Sequence, residues 1–253
     1  MRNVLTIAGK ELRSYFTSPV GWVVMGFFAL LFGYFFFAHL DFFVRRSMQS
    51  AMGGGPVNVN QDMIRGVFSN ATIIILFLLP MITMRTYAEE KRSGMIELLL
   101  TSPVTDIEIV LGKFLGAVGF FGALLGVTML DMSLVFIFGN PEWKPVATGY
   151  LGLLLMGSCF ISIGLFVSST TKNQVVAGAA TFVVALLLWV ISWVGSSFGP
   201  NTAAVLSYLS ITEHFDDFGK GVIDTKHVLY YLSVIAFGLF LTVKSVDTER
   251  WRG

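Results

Sequence analysis

The 253 residues carry 17 Lys and Arg against 16 Asp and Glu, a formal net charge of +1, with 55% hydrophobic and only 13% charged residues. Near-neutrality leaves no electrostatic footprint for nucleic acid, and the apolar residues fall in blocks long enough to cross lipid, which excludes a soluble globular chain. Spans of that size consume most of the length, so one membrane domain over 1–253 is expected, with no room for a soluble catalytic domain.

Residues 1–19 form an amphipathic segment. At 100° per residue Val4, Ile7, Ala8, Leu12, Tyr15 and Phe16 share one arc, and Arg2, Thr6, Lys10, Arg13 and Ser14 the other, the pattern of a helix in a membrane interface. Thr17, Ser18 and Pro19 end it before the first span. Glu11 projects into the middle of the apolar arc, where a carboxylate needs a cation or hydrogen-bond donors. Arg85 and Lys113 are the nearest candidates by depth.

Runs without charge predict six spans, at 20–38, 66–84, 114–138, 146–167, 175–194 and 228–243, each near the ~20 residues that ~30 Å of hydrocarbon requires. None alternates as a strand would, and a backbone in lipid must satisfy its own hydrogen bonds, so the spans are helices. The loop 39–65 contains Gly53, Gly54, Gly55 and Pro56, a flexible joint; no strand precedes it and no Gly-Lys follows, so it is not a nucleotide loop.

Between spans two and three lies a charged insert, 85–113. The second span is expected to run on as a polar helix through Arg92, with Ser93 and Gly94 breaking it. Gly94 as N-cap and Glu97 at the third helical position then give a short helix over 95–101, ended by Pro103. Thr105 and Glu108 read as a capping box opening the helix that becomes span three. Ile96, Leu98, Leu99 and Leu100 exceed what a solvated loop needs, so the short helix is shaped to be gripped by a partner.

Gly112, Gly116, Gly119, Gly122 and Gly126 line one side of span three and suit close helix packing. Asp131 is the one acid inside a predicted span, either a functional intramembrane charge or half of a structural pair near the interface. The single Cys159 rules out an intrachain disulfide. The segment 195–227 is too polar to span and reads as one or two short helices at the opposite interface. Its His214, Asp216, Asp217, Asp224 and His227 fit no structural zinc spacing, which favours helix capping or surface charge.

Lys and Arg set the orientation. With the N-terminus inside, Arg2, Lys10, Arg13, Arg85, Lys91, Arg92, Lys113, Lys172, Lys244, Arg250 and Arg252 are cytoplasmic, 11 of the 17. Arg45, Arg46, Arg65, Lys144, Lys220 and Lys226 are outside, so both termini are expected in the cytoplasm. Trp143 and Trp193 at outer span ends, and Trp22 and Trp251 at inner ones, suit interfacial anchors.

The run RTYAEEKRSGMIELLLTSPVTDIEIVLGK resembles the first cytoplasmic loop of type-2 ABC exporter permeases. IAGKELRSYFTSP is similar to that family's N-terminal elbow helix, SSTTKNQVVAG to its second inner loop, and HFDDFGKGVIDTKHVLYY to its gliding-motility branch. The resemblance implies an all-α, six-span permease in the cytoplasmic membrane of a prokaryote, pairing with a second copy or a homologous permease and with two ATPase subunits. An additional membrane or outer-side protein is a further candidate partner, beside membrane lipid. It also implies that the short helix couples to the ATPase through Glu89, Glu90, Lys91, Arg92, Gly94, Met95, Glu97, Leu98, Ser102 and Pro103. The second inner loop would contribute Ser169, Lys172 and Asn173, and the elbow helix Lys10, Glu11 and Arg13. Met95 stands where the family commonly has Thr.

The Gly112-Lys113 and Gly219-Lys220 pairs have Ile107 and His214 where a phosphate loop needs its first Gly, so ATP and Mg are expected on the partner ATPase and no cofactor on this chain. Two functions stay open: export of an unidentified substrate, or an ATP-driven membrane scaffold that remodels a protein partner. One ambiguous Asp131 is a poor ligand set for a secondary transporter.

Overall fold

The structure, a computed structural model, describes residues 2–53, 55–96, 104–195 and 200–250. The regular elements among them are helices: α1 (Arg2–Thr17), α2 (Pro19–Ala51), α3 (Arg65–Thr83) preceded by a π-helical turn at Asn60–Ile64, α4 (Ala88–Ser93), α5 (Asp106–Phe138), α6 (Trp143–Thr170), α7 (Gln174–Gly195), α8 (Pro200–Leu209), α9 (Glu213–Gly219) and α10 (Thr225–Arg250). Six stretches are long and apolar enough to cross a membrane: α2, Asn60–Ser93 containing α3 and α4, α5, α6, most of α7, and α10. The all-α, six-span expectation holds.

The bundle is built around α6, which packs against α3, α5, α7, α9 and α10. Its small residues permit the approach: a Cβ on Gly164 would lie 2.1 Å from Thr83 Oγ1, and Gly238 of α10 sits against Ser162. Large rings fill the remaining space, Phe28, Phe32, Phe68, Phe120, Phe121 and Phe160 being fully buried. By contrast α2, α7 and α10 leave most of their surface outside the bundle, so lipid or another chain must cover those apolar faces.

Two boundaries differ from the sequence expectation. Helix α2 continues to Ala51, past the apolar run that ends near residue 38; at ~1.5 Å per residue it is ~50 Å long, well beyond the hydrocarbon. Polar contacts carry the extension: Asp41 pairs with Arg45 one turn on at 2.9 Å, and Arg46 reaches Asp62 of the π-helical turn at 2.5 Å. Hydropathy marks where lipid ends, not where a helix ends.

The second break is between α3 and α4, where one continuous extension was expected. The backbone instead turns at 84–87, and the Ser168 hydroxyl of α6 satisfies the freed groups. It accepts from the N–H of Tyr87 and of Ala88, each at 3.1 Å, and donates to the Met84 carbonyl at 3.1 Å, the full capacity of one hydroxyl.

At the end of α4, Gly94 adopts φ 73° and is its left-handed C-cap, where only glycine is unstrained. It therefore closes the preceding helix and breaks the chain where the sequence expected a break, directly before the helical Met95. Met95 and Ile96 are helical; Glu97, Leu98, Ser102 and Pro103, with the rest of 97–103, lie outside the described residues. The capping box is present, Glu108 N–H bonding Thr105 Oγ1 at 3.3 Å and Thr105 N–H bonding Glu108 Oε2 at 3.2 Å. The short helices expected between spans five and six are α8 and α9.

Candidate functional site

Charged side chains from four helices, α1, α4, α5 and α10, converge at the bundle end that carries α1. The apolar arc of α1 is laid on α5, and Val4, Ile7, Ala8, Glu11, Leu12, Tyr15 and Phe16 are the half-buried ones along it. The contact is intimate because α5 presents glycine: a Cβ on Gly112 would stand 2.6 Å from Ile7 Cβ, and one on Gly116 2.6 Å from Glu11 Cβ. Gly119 meets Leu12, whereas Gly122 and Gly126 face open space. The glycine stripe is thus split, its first half serving the elbow helix. Tyr15 stacks on Phe120 at 4.8 Å, and burial pushes its hydroxyl well above the ordinary range, keeping it protonated.

Lys113 sits at the centre of this end, 1% exposed. Its ammonium donates to Glu11 Oε1 at 2.9 Å, to Glu90 Oε1 at 2.7 Å and to the Thr86 carbonyl at 3.1 Å. Three donors meet three acceptors, so the buried cation is fully bonded. The partners come from α1, from α4 and from the turn before α4. Glu11, flagged by its place on the apolar arc, has found Lys113; Arg85 is not its partner.

Two more ion pairs tie in the end of α10. Lys91, nearly fully buried, bonds Glu249 at 2.6 Å, and Arg250 reaches Asp106 at 3.1 Å and the Val104 carbonyl at 3.2 Å. Asn3 of α1 donates to the Glu108 carboxylate at 3.3 Å. Beside the cluster lies a cavity of about 350 Å³ whose lining includes Lys10, Glu11, Arg85, Glu89, Glu90 and Met95.

The structure therefore separates residues that the sequence grouped. Glu90 and Lys91 are held by partners within the chain, while Glu89, Arg92 and Met95 are exposed. Lys10 and Arg13 are exposed on the outer side of α1. At the end of α6 Ser169 is buried and its carbonyl accepts from Ser245; in the loop that follows Lys172 is exposed, and Asn173 Oδ1 accepts from the N–H of Val175 at 3.0 Å, opening α7. Asp131 is half-buried on α5 and makes no ion pair among the described residues.

Sequence reasoning missed Ser168, Asp106, Glu249 and Arg250. Among the described residues no group of three or more His, Cys, Asp or Glu converges to hold a metal ion. Hydrogen-bonded ion pairs thus join α1, α4, α5 and α10 at one end of the bundle.

Residues 5–243 match the family model described as ABC-2 family transporter protein. Among curated proteins no match was found.

Proposed function

The chain belongs to the ABC-2 family of transporter membrane proteins, and from that premise we propose that it is the permease of an ATP-driven exporter in a prokaryotic cytoplasmic membrane. It works as a pair, with itself or a homologous permease, on two ATPase subunits that bind ATP and Mg. The α1 end faces the cytoplasm, in keeping with 11 of the 17 Lys and Arg on that side. One observation carries the reading: Lys113 bonds α1, the turn before α4 and α4 itself to α5, so a push on the segment between α4 and α5 reaches the elbow helix and two spans together. Residues 95–101 are the coupling helix in this account, with Glu89, Arg92 and Met95 around its entrance and Ser169, Lys172 and Asn173 as the second inner contact.

The test is to purify Leu98→Asp and Glu97→Ala with the partner ATPase. Leu98→Asp places a charge where an apolar groove is expected, and Glu97→Ala removes an N-terminal acid. Insertion and pairing intact with ATPase binding lost is the expected result; full activity in Leu98→Asp moves the contact to the loop 168–173. The alternative, an ATP-driven scaffold remodelling a protein partner, rests on the gliding-branch likeness of 214–231. It requires the same ATPase but no transport in sealed vesicles.

A further inference from the structure

At the bundle end opposite α1, helices α8, α9 and α10 meet around two histidines. His214 of α9 and His227 of α10 are buried, and their Nδ1 atoms stand 2.6 Å apart. Each ring's second nitrogen is engaged as well. His214 Nε2 lies 2.9 Å from the Tyr208 carbonyl oxygen in α8, and His227 Nε2 lies 2.9 Å from Asp217 Oδ2. The His214 ring stacks on Tyr230 at 3.8 Å, and the hydroxyls of Tyr230 and Tyr231 donate to the carbonyls of Leu209 and Ile211. The cap formed by α8 and α9 is therefore stitched to span six chiefly through this chain of rings. The expectation of helix capping or surface charge holds for Asp224, which accepts from the Lys226 N–H, but not for the histidines.

Counting protons defines the state of the chain. A carbonyl only accepts, so His214 Nε2 carries a hydrogen. One more must lie between the two Nδ1 atoms and one between His227 Nε2 and the Asp217 carboxylate. That makes three, and two neutral imidazoles supply two. The third is an extra proton, making His227 an imidazolium that donates to His214 on one side and to Asp217 on the other. Asp217 itself stays ionised: the bond from His227 and then Lys220 hold its carboxyl below the usual range. A metal ion does not fit between the rings, because bonds of ~2.0–2.1 Å to each nitrogen set them well over 2.6 Å apart.

We propose that Asp217, His227 and His214 form a proton-dependent latch fastening the α8–α9 cap to α10, closed only while the three groups share that one extra proton. Above the closed range the proton is lost and two acceptors face each other, at Nδ1···Nδ1 or at Nε2···carboxylate. Below it, protonated His214 sets two N–H groups head to head. Burial holds His214 below its ordinary value, with His227 and Lys226 pushing the same way and the Tyr208 carbonyl opposing. A histidine depressed on docking stabilises the docked cap above its ordinary value, and that stabilisation is lost as pH falls through the docked value. The other charged neighbours are already matched: Lys220 bridges Asp216 and Asp217, Arg65 pairs with Asp216, and Lys226 pairs with Asp224. Glu213 is exposed, and Tyr208, Tyr231 and Cys159 complete the titratable surroundings.

The experiment uses the full chain in lipid nanodiscs, with ¹⁵N-histidine spectra in a His39→Gln background and hydrogen exchange over 208–227. At neutral pH one doubly protonated ring, lost in His227→Gln, and one neutral Nε2–H ring, lost in His214→Gln, are expected. Exchange protection of the cap falls at both acid and alkaline pH, by about tenfold or more once intrinsic rates are divided out. Asp217→Asn is the sharp test. A carboxamide can donate to Nε2, so a neutral His227 completes the chain and the alkaline limb disappears while the acid limb remains. A plain ion pair predicts weakening at every pH instead. Two neutral rings in the wild type, an alkaline limb retained in Asp217→Asn, or added zinc or copper bound by the wild type and not by His214→Gln overturns the latch. Should Asp217→Asn fail to insert, the wild-type ring states decide it alone.

Discussion

Replacing Lys113 with Met keeps the stem's volume and removes the charge. Glu11 and Glu90, whose side chains are 14% and 15% exposed, then face each other without their cation, and the Thr86 carbonyl loses its donor. Breaking a buried pair in this way costs about 3–5 kcal/mol, or roughly two to three and a half orders of magnitude in the docked-to-undocked ratio at about 1.4 kcal/mol per tenfold. Glu11→Gln is far milder. Its amide oxygen still accepts from Lys113, which keeps Glu90 as counter-ion, so the cost is that of weakening one charge-assisted bond, under about 1.5 kcal/mol. The asymmetry follows from one ammonium serving two carboxylates. Denaturation in mixed micelles gives the stabilities, and trypsin cleavage after Lys10 and Arg13 reports the release of α1. Lys113→Met within about 1 kcal/mol of wild type, or Glu11→Gln as damaging as Lys113→Met, would refute the reasoning.

Gly116→Val should undock α1 at a cost of about 1–3 kcal/mol, since its Cβ meets Glu11 Cβ and the Ala8 carbonyl; hydrogen exchange over 2–17 then rises with the rest of the bundle protected. Ser168→Ala strands two buried amides and a carbonyl, and thermal unfolding should show a loss of about 1–3 kcal/mol that Ser168→Thr partly restores. Thr105→Ala removes the capping box and should cost about 1 kcal/mol in the same assay. Single cysteines at Ser50 and Asn201 should label from outside intact cells, with those at Ser93 and Thr248 silent until permeabilisation; labelling of Ser93 in intact cells would invert the topology.

What the sequence reveals here depends on the range of the physics involved. Glu11 announced its need locally, because a carboxylate on an apolar arc has few ways to be stable, and depth left only Arg85 and Lys113. The second carboxylate on Lys113 was invisible, since Glu90 stands in the charged run EEKR, which the family resemblance assigns to the ATPase contact. Lys91 with Glu249 and Arg250 with Asp106 join residues well over a hundred positions apart, and such pairings leave no periodic trace. Capping is local, so Thr105 and Glu108 were readable, and so was the break at Gly94, whose left-handed backbone closes α4. His214 and His227 meet only because α9 folds back onto α10, which their spacing cannot show.

The central claim, that ATPase closure enters the spans through the junction around Lys113, is tested most directly by hydrogen exchange on the assembled permease–ATPase complex in nanodiscs, with and without trapping by MgATP and vanadate. The account predicts that trapping changes protection together in 2–17, 85–113 and the last turns of α10, and that Lys113→Met confines the change to 85–103. A wild-type response that bypasses 85–113, or a Lys113→Met response that still reaches α1 and α10, would contradict it.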